Sequence, residues 1–398
     1  MIVDRIRGIV DEFEEWMIDQ RRKIHQNPEL SRQEFETAKL IVNELSNMGI
    51  EVEKGYYNTG VVGIIRGHHE GPTIGLRFDM DALQMEEMTN LPFKSIKSNV
   101  MHSCGHDGHT AIGLGVARGL MNIKDEIHGT VKLIFQPAEE DAPNGGGAQY
   151  MIKEGVLKNP DVDCMLGMHI WPQLDTGNIS VKKGAMMAAS DPFVINIQGK
   201  GVHASLPHLG TDPIVIGAQI VNNIQTIVSR NIDSFEQAVI SIGVFKGGMR
   251  YNVIPDKVVL EGTVRTFNEE VRMNIYNRLK LIVENTAQSL GGQATLNYKF
   301  SYPSLVNDDK IVDFVKDNVK ELLGEENCIL LDRPISTGED FAYFAKAVPS
   351  AFIFLGARKD GVDNYPLHNP YFDFNEKALA IGVKVLMTAA IKLGRSYI

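Results

Sequence analysis

Near Ala189 the rhythm of this chain changes, and that change constrains its architecture more than any single residue does. Upstream, short apolar β-rich runs at 61–66, 73–78, 129–135 and 162–168 alternate with segments of helical periodicity near 109–121 and 147–154. Such alternation predicts a mostly parallel or mixed sheet covered by helices. Two helices should come first: residues 4–25 carry apolar positions at helical spacing, and 31–48 reads as a second helix closed by Gly49. From 189 the order becomes strand 193–199, helix 212–230, strands 238–245 and 257–266, helix 269–291 and strand 294–300. That order is βαββαβ, a ferredoxin-like split unit able to form a small domain by itself. After Pro303 the first pattern resumes, with helices near 309–323 and 375–394 and a strand at 351–355. At 398 residues the chain exceeds one ordinary core. We therefore expect an α/β chain of two domains: a mixed-sheet domain built from 1–188 and 303–398, interrupted by an inserted domain at 189–302.

The densest chemistry lies in Met101-His102-Ser103-Cys104-Gly105-His106-Asp107-Gly108-His109. Cys, His and Asp are ligands for zinc, manganese, cobalt or nickel, and the Cys104-Gly105-His106 spacing lets two side chains converge from a tight turn. This reads as half of a metal site. The other half is expected downstream: Glu139 and Glu140 end the run Gln136-Pro137-Ala138, His169 follows Gly167-Met168, and His368 lies between Pro366 and Pro370. A lone histidine beside an apolar run is more often a core or surface residue, and adjacent glutamates are usually solvated. Here the pieces sit at ends of expected strands, and the carboxyl ends of strands in open α/β sheets form the crevice where ligands gather.

Composition narrows the partners. With 43% hydrophobic and 23% charged residues the chain has an ordinary globular balance, and its formal charge of -10 argues against a nucleic-acid partner. No apolar run approaches the length of a membrane span, and the first residues hold no apolar signal core. Three cysteines, Cys104, Cys164 and Cys328, cannot make a disulfide framework and suit a reducing cytoplasm. Cys164, inside an apolar run, reads as a small core residue; only Cys104 has ligand neighbours.

Several segments, taken together, resemble the M20 metallopeptidases: Asp79-Met80-Asp81-Ala82-Leu83, the 101–109 stretch, Gln136–Glu140, Gly199-Lys200-Gly201-Val202-His203-Ala204, Asn252-Val253-Ile254-Pro255, Gly262-Thr263-Val264-Arg265-Thr266-Phe267 and Gly338-Glu339-Asp340-Phe341. The likeness is to the family's amidohydrolase branch, which holds hippurate hydrolases, N-acyl-amino-acid deacylases, N-acetyldiaminopimelate deacetylases and plant auxin-conjugate hydrolases. It extends from about His25 to His368. It implies a metallopeptidase-type catalytic domain, with the ferredoxin-like insertion acting as lid and dimerisation domain. It also implies two divalent ions per subunit (zinc, manganese, nickel or cobalt) held by Cys104, His106, Glu140, His169 and His368, Cys104 being the bridge. Asp81 matches the family's active-site aspartate. The chain departs from the wider family at Asp79, which stands where a histidine is usual, so no metal role is carried over to it.

The expected reaction is hydrolysis of the amide of an N-acyl-L-amino acid by metal-activated water, as in an aminoacylase, hippurate hydrolase or carboxypeptidase. Of the paired glutamates one can coordinate while its neighbour, pointing differently, moves the proton; the resemblance implies that Glu139 is that general base. Asp79 and Asp81 are expected behind the ligands, orienting an imidazole or the base. His203, in a glycine-rich turn, could donate to the developing oxyanion; the resemblance implies that it comes from the partner of a homodimer. Asn252 and Arg265 match groups that hold the substrate carboxylate, for which the planar arginine fork is suited. His25, His102, His109 and His208 read as structural, with His109 at a helix start a candidate second-layer group. The alternatives are an N-acetyldiaminopimelate deacetylase, a non-catalytic metal-binding dimer, and a dinuclear phosphatase, which would favour oxygen-rich ligands and basic clamps.

Overall fold

A computed structural model describes residues 2–396 and separates the chain into two compact units, Met1–Gly184 with Val306–Arg333 and Asp340–Ile398, and Ala185–Leu305 with Pro334–Glu339. The first unit holds an eight-stranded mixed sheet. Its centre is parallel: the strand His69–Asp79 lies between His128–Gln136 and Cys164–Asp175, and Ser350–Arg358 lies beyond the latter. His69–Asp79 and His128–Gln136 are buried through their carboxyl halves, Cys164–Asp175 through its amino half and Ser350–Arg358 almost throughout, which is why they read as continuous apolar runs with little alternation. The antiparallel pair Glu51–Tyr56 and Gly60–Arg66 forms one edge. Glu51–Tyr56 went unseen in the sequence because it is largely solvated and carries Glu51, Glu53 and Lys54 instead of an apolar run. Helices His106–Asn122 and Lys377–Ser396 pack on each other and on the strand His69–Asp79, closing the main core around Phe78, Phe135, Leu114 and Leu386.

Local differences from the sequence pattern have visible causes. The expected helix at 4–25 is two helices, Ile2–Asp11 and Glu14–Gln26, with Phe13 turned inward at the break, edge-on to Trp16 at 6.2 Å. The expected helix at 31–48 begins only at Phe35, since the four residues before it form a turn held by side-chain bonds. Helix His106–Asn122 begins three residues earlier than its periodicity suggests, putting His106 in its first turn.

In the second unit, strands Ala189–Gln198, Ala238–Gly247, Lys257–Thr266 and Gln293–Tyr298 form an antiparallel sheet in the order second, third, first, fourth, with helices Pro213–Asn231 and Glu269–Ser289 after the first and third strands. This is the ferredoxin-like order. Its core is separate, built from Phe193, Ile195 and Ile197 against Ile220, Ile224 and Leu279. Burial alternates along Ala189–Gln198 with the period of two that marks a sheet covered on one face. The segment Pro334–Glu339 also groups with this unit, whereas the sequence pattern assigns it to the other: the Ala188 N–H donates to the Ile335 and Thr337 carbonyls at 3.0 Å. Among the described residues no helix is long and apolar enough to cross a membrane.

Candidate metal centre

The parallel register aligns the carboxyl ends of the central strands, with Asp79 beside Gln136 at one edge. The chain leaves that edge as Pro137-Ala138-Glu139-Glu140, and the neighbouring strand contributes His169. Opposite them Gly105, at φ 86°, makes the turn between Cys104 and the helix that His106 opens. The left-handed backbone explains why glycine separates the two donors.

Among the described residues five overlapping donor sets have their ligand atoms within 4.8 Å of one another: Asp79, His106 and His109; Glu139, Glu339 and Asp340; and three made of Glu139 and the sequence-expected ligands, namely Cys104, His106 and His169; Cys104, Glu140 and His368; His106, Glu139 and Glu140. Cys104 belongs to two of them. Its Sγ is 3.4 Å from His169 Nε2, and His368 Nε2 is 3.1 Å from Glu140 Oε1. All five sequence-expected donors and Glu139 are thus together in the first unit.

The imidazoles are prepared for a cation. His106 Nδ1 is 2.9 Å from the Asp81 carbonyl and 3.2 Å from Asp81 Oδ1, so it carries the proton, and Nε2 is left buried with no hydrogen-bond partner among the described residues. Such an orphaned atom is costly unless something outside the protein engages it. His169 Nδ1 donates to the Ile170 carbonyl at 2.7 Å, which turns its Nε2 lone pair to Cys104. His109 differs: Nδ1 meets Asp79 Oδ1 at 2.5 Å and Nε2 accepts from the Ile170 N–H at 2.8 Å, leaving neither nitrogen for a ligand. It stands behind the centre, linking Asp79 to the strand that bears His169.

Charge points the same way. Burial, reinforced by Glu140 and Glu139, pushes the Cys104 thiol well above its usual range. Burial opposes charge on His106, yet Asp79 and Asp81 outweigh it and raise that imidazole to about 10, so without a cation Nε2 holds a second proton that a bound metal would displace. Burial and then His109 drive His169 well below its usual value, keeping it neutral. Asp79 is held well below the usual carboxylate range, its burial outweighed by Arg77 and then His106. An anion-rich buried pocket of this kind selects cations, and a bound cation reverses the penalty on the thiolate. The donor set therefore fits divalent metal.

A buried polar frame that sequence reasoning did not identify supports the glutamates. Arg77 donates to Asp79 at 2.6 Å, to Gln136 at 2.9 Å and to Asp340 at 2.9 Å. Asp340 also accepts from the Ala148 N–H at 2.9 Å, and its own N–H points to Glu139 Oε1 at 3.3 Å. Gly146, at φ 71°, lies so close that a Cβ there would meet Asp340 Oδ2 at 2.4 Å. The signal was present: Arg77 is a charge inside the apolar run Gly75–Phe78, and buried arginine demands partners.

The remaining candidates lie in the second unit. His203 pairs with Val253 in a two-residue ladder, and the Ala204 N–H donates to the Asn252 carbonyl at 3.1 Å, so His203 and Asn252 are neighbours. His203 Nδ1 accepts from the Ser205 N–H at 3.2 Å, which leaves the Nε2–H of the neutral ring to donate outward. Half-buried Arg265 lies on the strand Lys257–Thr266 and bonds the Val264 carbonyl at 3.1 Å and the Thr263 hydroxyl. Arg272, by contrast, is tied to Asp191 at 2.6 Å.

Residues 75–392 match the family described as peptidase family M20/M25/M40. The chain belongs to that family. It is 41% identical to thermostable carboxypeptidase 2 of Saccharolobus solfataricus over 98% of each chain. It is 39% identical to hippurate hydrolase of Campylobacter jejuni, over 98% of this chain and 99% of that one. The fold superposes on a crystal structure of a dinuclear metal-binding M20 peptidase from Bacillus subtilis with a TM-score of 0.84 and 35% identity, over 97% of this chain and 99% of that one. This M20 chain is a metal-dependent amide hydrolase of the amidohydrolase branch.

Proposed function

We propose that the enzyme hydrolyses the amide bond of N-acyl-L-amino acids or short peptides that carry a free α-carboxylate. The observation that carries this reading is the pair of donor sets sharing Cys104, next to a buried His106 Nε2 that makes no hydrogen bond among the described residues. Cys104, His106, Glu140, His169 and His368 would hold two divalent ions per subunit, Cys104 being common to two of the donor sets. Five donors leave coordination positions open, as catalysis requires. Bound ions would supply Lewis acidity for the amide carbonyl and for attacking water.

The side chains do the rest. Glu139 takes the proton of the attacking water and returns it to the leaving amine. Asp81 holds His106 in the tautomer that leaves Nε2 available, and Asp79 fixes His109 in the tautomer whose Nε2 accepts the Ile170 N–H. His203, with its outward Nε2–H, stabilises the developing oxyanion, and Asn252 with Arg265 grips the α-carboxylate. Arg265 suits the task because its protein partners are neutral oxygens. The second unit, 189–302 in the sequence division, acts as lid and dimerisation domain, and the enzyme works as a cytoplasmic homodimer. The thiolate and imidazoles favour zinc, cobalt or nickel, while manganese remains compatible with the carboxylate.

The relatives named for hippurate and for carboxypeptidase action support this substrate class over N-acetyldiaminopimelate, and the intact Glu139 with all five donors argues against a non-catalytic dimer. The test is amine release by protein loaded with each metal in turn, on N-acetylmethionine, hippurate, N-acetyldiaminopimelate and a dipeptide. Hydrolysis of the first two or of the dipeptide supports the reading; turnover confined to N-acetyldiaminopimelate overturns it.

A further inference from the structure

Adjacent side chains on an extended strand point to opposite faces. Glu139 and Glu140 nevertheless both direct a carboxylate oxygen at the donor cluster that contains His106. The backbone that allows this bends at Ala138, which is fully buried and has a left-handed φ of 58°. That conformation is strained for any residue with a Cβ and persists only where the surroundings hold it.

What holds it is Glu34, a residue distant in sequence and outside every motif singled out above. Glu34 is fully buried, and its Oε1 accepts the Ala138 N–H at 2.9 Å. The same oxygen accepts the Arg32 N–H at 2.9 Å, and Oε2 accepts the Thr59 hydroxyl at 2.7 Å, so the carboxylate is itself clamped. Beyond the bend a second carboxylate acts: Asp81 Oδ2 accepts the Glu140 N–H at 3.0 Å and the Ser31 hydroxyl at 2.6 Å. One acid grips the Pro137–Ala138 peptide and another grips the Glu139–Glu140 peptide.

We propose that Glu34 is a positioning residue for Glu139: its carboxylate holds Ala138 in the left-handed conformation and so aims the Glu139 carboxylate at the attacking water. The inference rests on the reading of Glu139 as general base. Glu34 touches neither substrate nor metal and acts through the bend alone.

The test uses the metal-loaded full chain with hippurate, or with the panel substrate turned over fastest, and records kcat, KM and metal content together. Glu34→Ala frees the bend and should lower kcat about 100-fold, with KM and bound metal changed less than about twofold, because misaiming a catalytic group by about 1 Å carries a penalty of that order. Glu34→Gln keeps an acceptor oxygen for the Ala138 N–H and should stay within about threefold of the parent. Adding Ala138→Gly to Glu34→Ala should recover about tenfold or more, since glycine enters the left-handed region without strain. If Glu34→Ala does not fold, Glu34→Asp, which withdraws the oxygen by one methylene, carries the same expectation with and without Ala138→Gly.

Near-normal kcat in the variants that withdraw the oxygen overturns the inference. So does loss of activity in Glu34→Gln equal to that in Glu34→Ala, or full recovery on adding excess metal, which would place the effect at Glu140. Glu139→Ala is measured alongside. If it turns over normally, the base assignment has failed; if it is inactive while Glu34→Ala is normal, only the role of Glu34 has failed.

Discussion

Glu139 and Glu140 are chemically identical and differ in what surrounds them. Glu140 faces His368 at 3.1 Å, while Glu139 meets the Asp340 N–H on the other side of the bend. In the proposed mechanism the first coordinates and the second moves a proton. Glu139→Ala should therefore keep its metal and lose about 100-fold or more in kcat, checked by elemental analysis beside steady-state rates. Cys104→Ala should do the reverse and lower metal content itself, because a shared thiolate supports both ions; full occupancy of both positions in that variant would remove Cys104 from the bridging role. Glu34 adds a pH signature. Burial, helped by the charge of Asp81, raises its carboxyl from 4.5 to about 7. Between those values the folded state binds more protons than the unfolded chain, so this group's contribution to stability falls as pH rises toward about 7 and is flat above it. Urea denaturation of the parent and Glu34→Gln from about pH 4.5 to about pH 8 should show the variant gaining relative stability through that window and no further.

At the scale of elements, the centre depends on where a helix starts and where strands end. Helix His106–Asn122 opens at a donor because Gly105 takes the left-handed turn that releases Cys104 from the helix. A Cβ at Gly105 would meet nothing closer than 3.5 Å, so Gly105→Ala is a test of backbone strain without a clash. It should destabilise the fold by about 1–2 kcal/mol and weaken metal retention, measured as a lower melting temperature and faster metal loss to a chelator. Periodicity located the helix Asp309–Leu323 to the residue, because Asp308 caps it through the Lys310 and Ile311 N–H groups and apolar residues line one face. It missed the late start of the helix at Phe35, because the preceding turn is set by Glu34 reaching Ala138 and Thr59, contacts with no local sequence signature.

On the scale of the whole molecule, the proposed function divides labour between the two units, with metal and base in one and His203, Asn252 and Arg265 in the other. If His203 serves the active site of a partner subunit, mixing inactive Glu139→Ala with inactive His203→Ala under subunit exchange should restore activity, since one site of each mixed dimer holds both native residues. Persistent inactivity despite demonstrated exchange would mean that His203 acts within its own chain or not at all.

The residue types of the centre and the strand-and-helix order were legible in the chain alone. Cys104, His106, Glu139, Glu140, His169 and His368 announce themselves as clustered donors at the ends of apolar runs, and the shift to βαββαβ after Ala189 marks a second unit with its own core. Only the folded structure decided that His106 keeps Nε2 free and that His109 keeps neither nitrogen. Asp81 and Asp79 make that choice from a distant segment, beyond the reach of sequence spacing, whereas His169 is set by the carbonyl of the next residue, Ile170. The same holds for Glu34, Arg77 and Asp340. A buried charge is affordable only beside partners supplied by distant segments, and tertiary packing is what brings those segments together.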